Sequence, residues 1–129
     1  MTNKPLGLGI TLYVLSSVLT LVVFPFAMLF GVFRSLYKRQ FVSGLKAIDY
    51  KFYTLAIAKD QTGNVVCKEL FNDLLISSDS KDQFGNEDET ISSVLGKNEE
   101  GGNLKVTGRL LANILNKIQK NHCINSINQ

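Results

Sequence analysis

At 129 residues the chain has room for one small domain, and the uncharged run from Pro5 to Phe33 takes 29 of those positions. The net charge of +3 is uneven, with Lys4, Arg34, Lys38, Arg39 and Lys46 preceding the first acidic residue, Asp49. Positive charge packed beside an apolar run reads as membrane topology and headgroup attraction, which excludes nucleic acid as the expected partner.

The run bounded by Lys4 and Arg34 exceeds the ~20 helical residues that cross a ~30 Å hydrocarbon core, and residues 12–33 alone suffice. It is too long for a signal-peptide core and has no small-x-small cleavage site after it, so it reads as a retained anchor. Pro25 interrupts it. A proline inside a span either kinks one helix or divides the segment into a re-entrant hairpin; the single kinked span is the favoured reading, with Ser16, Ser17 and Thr20 near enough to satisfy a freed carbonyl. Arg34, Lys38 and Arg39 on the C-terminal side outweigh Lys4 and the α-amino group, which places the N-terminus outside and the C-terminal part in the cytoplasm.

Beyond the anchor, 1–33, the pattern predicts an all-α arrangement of about four short amphipathic helices. Residues 34–58 form a basic juxtamembrane helix, with Phe41, Leu45, Ile48, Phe52 and Leu55 on one face. Arg34, Lys38, Arg39, Phe41 and Lys46 are its candidate membrane-interface residues, although the same spacing also suits a core helix. Within the C-terminal region, 59–129, the run Asp60-Gln61-Thr62-Gly63-Asn64 predicts a turn, 65–76 a helix and 77–82 a solvated polar loop. Residues 86–98 carry a helix signature: Asn86 as cap, Glu87 and Asp88 in the first turn, Glu89 at the capping-box position, and Gly96-Lys97 as a stop. A last helix runs from Leu104 to about Lys120, and an irregular tail follows from Asn121. A region this size buries only roughly 60–65% of its unfolded surface, so the bilayer, self-association or a protein partner is expected to support it.

Chemistry is sparse. Cys67, His122 and Cys123 are the candidates for a thiol nucleophile with its base, but a cysteine between apolar neighbours in a helix is more often a small buried hydrophobe. With reduced thiols expected in the cytoplasm, two cysteines and one histidine fall short of a four-ligand zinc site. Glu87, Asp88 and Glu89 have a structural use at a helix start, Ser92 and Ser93 lack a nucleophile elbow, and Gly101-Gly102 lacks the phosphate-loop pattern. The chain is therefore expected to use no cofactor and no metal and not to be an enzyme.

Three blocks carry a resemblance. They are Asp60-Gln61-Thr62-Gly63-Asn64, then Gly85-Asn86-Glu87-Asp88-Glu89-Thr90-Ile91-Ser92-Ser93 with Gly96-Lys97 behind it, and finally Asn121-His122-Cys123-Ile124-Asn125-Ser126-Ile127. In this order they resemble a family of short proteins encoded by tailed phages and prophages, over roughly the last 70 residues. Members of that family often have an N-terminal hydrophobic segment and have no agreed activity. The resemblance implies a phage genome and a host inner membrane, and it marks Asn86, Glu89, Thr90, Ser92 and Lys97 as motif residues of unassigned role. Together these features predict a single-pass, non-enzymatic docking protein acting during infection. The alternatives are a membrane-tethered thiol enzyme and a membrane component of a virion.

Overall fold

In a computed structural model the protein is described at residues 5–38 and 41–127, and the described residues are all-helical, with one isolated bridge and no strand. Six helices follow in order: α1 Leu8–Lys38, α2 Phe41–Val66, α3 Lys68–Leu74, α4 Ile91–Glu100, α5 Val106–Ile118 and α6 His122–Asn125. Two compact units divide the chain, residues 1–51 and 52–129. Lys4 and Arg39, used above to read orientation and interface, lie outside the described residues.

In the first unit α1 runs unbroken for 31 residues through Pro25, and none of its residues is buried. It is long and apolar enough to cross a membrane. The hairpin alternative is not what forms. Ser16 and Ser17 both donate to the Tyr13 carbonyl, at 2.9 and 2.7 Å, so neither serves the carbonyl that Pro25 frees one turn further on. Gly44, near the start of α2, is buried, and a Cβ there would lie 2.8 Å from the Ser35 carbonyl oxygen. That glycine allows the two backbones to approach.

The second unit is built on few apolar residues: Leu75, Ile76, Phe84, Val94, Leu95, Leu104, Ala112 and Cys123 are buried, with Phe71, Ile91, Leu111 and Leu115 packed against them. Phe71 and Phe84 meet edge to face at 5.3 Å. Ile76 and Leu104 form an antiparallel bridge, held by Ser77 N–H to the Asn103 carbonyl at 2.8 Å and Lys105 N–H to the Leu75 carbonyl at 2.9 Å. Gly102 sits between them and α4 at φ +68°, in the left-handed region that glycine enters without a Cβ clash.

Buried asparagine side chains complement this thin core. Asn64 is fully buried; its amide donates to the Asn86 and Glu89 carbonyls at 2.9 and 2.8 Å and accepts from Gly85 N–H at 2.9 Å. Asn72 pairs with both backbone groups of Phe84, and Asn98 donates to the Asp82 and Val94 carbonyls and accepts from the Ser80 hydroxyl. Each loop amide or carbonyl so paired is one that burial would otherwise leave without water or partner.

These contacts correct the predicted boundaries. The expected turn at 60–64 is helical and belongs to α2, because Asp60, Gln61 and Asn64 bond to residues 85–92 and that gain outweighs local turn preference. The expected helix 65–76 shortens to α3, and the loop 77–82 is not simply solvated, since Ser80 is buried on Asn98. Helix α4 begins four residues after the sequence signature: Thr90, not Asn86, is the cap, its hydroxyl accepting from Ser93 N–H at 3.0 Å. Glu89 is then free of a capping box and pairs with Lys97 at 2.6 Å. Gly96 is no stop. It lies inside α4 against α6, where a Cβ would fall 2.6 Å from the Cys123 carbonyl carbon. Nor is the tail irregular, for α6 forms in it and buries Cys123 and Ser126. Asn121 enters α6 at φ 57°, a conformation asparagine tolerates better than most residues.

Candidate functional site

Packing α4, α5 and α6 around one another, with the end of α2 and α3 beside them, leaves a groove of about 630 Å³ in the second unit. Its walls are mostly apolar, with Ala56, Ile57, Phe71, Ile91, Leu111 and Leu115 among them. Asp60, Thr90, Ser92, Gln119 and His122 line it as well. An apolar concavity with a few convergent polar groups is the usual form of a binding site.

The polar groups already have partners. The Asp60 carboxylate accepts from the Ser92 hydroxyl at 3.2 Å and from Ser92 N–H at 3.5 Å, which joins α2 to the first turn of α4. His122 Nδ1 lies 3.0 Å from Gln119 Oε1. Thr90 is occupied as the cap of α4.

The thiol candidates do not assemble there. His122 lines the groove, whereas Cys67, half-buried at the junction of α2 and α3, and Cys123, buried beneath α6, are not among its walls. Burial, with Glu99 and Asp60 adding repulsion, pushes the Cys123 thiol up to about 11. Its Sγ faces the Ala112 carbonyl at 4.0 Å, and its N–H donates to Asn116 Oδ1 at 3.1 Å. A thiol so placed is almost wholly protonated at neutral pH. Among the described residues no group of three His, Cys, Asp or Glu side chains comes together for a metal.

The motif residues have structural uses. Asn86 offers its carbonyl to Asn64 and its Oδ1 to Asp88 N–H at 3.2 Å; Glu89 and Lys97 form the ion pair; Thr90 caps α4; Ser92 holds Asp60. Asp60 and Asn64 are the residues whose placement sequence reasoning missed, because both sat inside an expected turn. Their signal was the number of asparagines in otherwise helical stretches, where an amide is unfavourable unless it bonds elsewhere.

Four of the candidate interface residues lie within the described part of the first unit. Arg34, Lys38, Phe41 and Lys46 are exposed. Arg34 and Lys38 share the end of α1 with Phe33 and Tyr37, which together line a shallow depression of about 430 Å³. Aromatic rings among cations are the composition of a membrane–water interface.

Comparison with family models, with curated proteins and with solved structures finds no match to this chain.

Proposed function

We propose that this is a single-pass membrane protein whose C-terminal helical unit is a non-enzymatic docking module. The carrying observation is α1: 31 helical residues, charged only in its last turns and with no buried position. In water such a helix would expose an apolar surface far beyond the few hundred Å² that soluble monomers present. Lipid removes that cost. The aromatic and basic end of α1 and the exposed Phe41 and Lys46 support an interface at that end, and the excess of basic residues there supports an N-out, C-in orientation.

The groove suits an apolar side chain or helix face of a partner, and the occupied state of Asp60, Ser92 and Thr90 supports binding over catalysis. The buried, protonated Cys123 supports the same choice over thiol chemistry. The resemblance to phage and prophage proteins supports an inner-membrane setting in an infected bacterium. Reporter fusions at the two ends test the topology: a C-terminal reporter active only in the cytoplasm, with an N-terminal one silent, is expected, and the reverse pattern would overturn the orientation.

A further inference from the structure

Helix α5 turns one apolar face inward and leaves another uncovered. Gly108 and Ala112 are buried and Leu111 and Leu115 half-buried, while Val106, Leu110, Ile114 and Ile118 form an outer row at four-residue spacing. The ends of that row are the most open, Val106 at 83% and Ile118 at 79% exposure. The Thr107 hydroxyl donates to the Leu74 carbonyl, which brings exposed Leu74, with Leu70 one turn earlier on α3, beside the start of the row.

A second row runs alongside, one residue behind at every step: Lys105, Arg109, Asn113 and Lys117, all exposed, with Lys120 just past the helix end. Lys105 donates to the Asp73 carbonyl at 2.6 Å. Glu99 of α4 accepts from the Asn116 amide at 3.3 Å, and the exposed Asp73 beside Lys105 is the acid at the start of the row. Charge is sharply divided in this unit. All ten acidic residues beyond Lys51 occur by Glu100, and the sequence from Gly101 onward has four Lys or Arg and no acid.

An exposed apolar row edged by cations is the pattern of a helix lying in the plane of an anionic bilayer, its apolar side in the acyl boundary and its cations at the phosphates. Each Lys or Arg at such a surface adds to the attraction, which is confined to about a Debye length of the headgroups. We propose that α5, through Val106, Leu110, Ile114 and Ile118 with Arg109, Lys117 and Lys120, docks the C-terminal unit on the surface of an anionic phospholipid bilayer. The proposal rests on the anchor reading, since α1 would hold the unit at high local concentration near lipid. A second copy of the chain is the competing occupant; α5 itself carries Arg109 and Lys117 and no Asp or Glu, so two such helices set face to face repel, which favours lipid.

The test uses the full chain in lipid nanodiscs, with a polarity-sensitive fluorophore on Ile114→Cys in a Cys67→Ser background. One disc set is neutral phosphatidylcholine and the other contains phosphatidylglycerol. In anionic discs the probe is expected to blue-shift, to be quenched by acyl-chain nitroxides and to lose iodide quenching several-fold. The triple variant Arg109→Glu, Lys117→Glu, Lys120→Glu is expected to reverse this while the chain stays in the discs. A probe equally open to iodide in both disc sets, with the chain retained, would overturn the docking and leave the anchor standing. Protection in neutral discs that appears only when two copies share a disc would assign the face to self-association instead. Chain lost from the discs altogether would overturn the anchor, and the docking with it.

Discussion

Replacing Gly96 with alanine separates packing from propensity by sign. In an unpacked helix the change stabilises by about 1 kcal/mol, because glycine loses more backbone freedom on folding. Here the added methyl would stand 2.6 Å from the Cys123 carbonyl carbon and 3.1 Å from the Ile124 nitrogen, both backbone atoms of α6 that no rotamer change can move. Overpacking of this kind costs about 1–3 kcal/mol, and with rigid backbone on the far side the upper part of the range applies. The net expectation is a loss of about 1–2 kcal/mol, or roughly a 5–30-fold rise in the open population. The Cys123 thiol lies directly beneath the contact and reports on it. In a Cys67→Ser background, Gly96→Ala should alkylate at Cys123 roughly 5–30 times faster than its parent under conditions where opening is reversible. Gly9→Ala, in the other unit and with nothing within 4 Å, serves as the control and should leave labelling at Cys123 unchanged. If Gly96→Ala labels no faster than its parent, the close seating of α6 on α4 is wrong.

Further outcomes follow from the same contacts. Asn64→Ala removes three hydrogen bonds from a fully buried side chain and leaves the loop at 85–89 without its clamp, a cost of roughly 3 kcal/mol at about 1 kcal/mol each, read as a lowered urea midpoint and faster proteolysis within that loop. An unchanged midpoint would show that the loop is held by other means. The Cys123 thiol is raised to about 11 in the folded chain, so its contribution is fully present below the unfolded thiol's range and is lost as pH rises through the folded value. Urea midpoints should therefore fall between about pH 9 and 11, with up to about 1.4 kcal/mol per pH unit absent from Cys123→Ala. Parallel slopes in the two proteins would refute the burial argument.

The long apolar helix α1 was legible because it is a property of composition: 29 uncharged residues need no partner to declare themselves. The all-helical class and the cores of α4 and α5 were legible for a related reason, since Val94, Leu95, Leu111 and Leu115 repeat at helical spacing. What sequence did not disclose depends on distant partners. Asp60 and Asn64 read as turn residues until Ser92, Asn86 and Glu89 are placed beside them, and Gly96 reads as a stop until Cys123 lies across it. Thr90 took the cap from Asn86 because Asn64 claims the carbonyls of Asn86 and Glu89 and holds the preceding residues out of the helix. The groove shares this character, joining Ile57 to Leu115 across α4. The tail looked polar and short, yet it buries Cys123 and Ser126.

Anchoring and docking of this protein both require lipid as the environment of α1. Bacterial membranes carrying the full chain can be washed with high salt and then with concentrated urea, which strip proteins held by charge or by other proteins, before detergent is added. The chain should stay with the membranes through both washes and be released by detergent alone. Release of folded chain into the salt or urea wash would contradict a lipid-embedded α1.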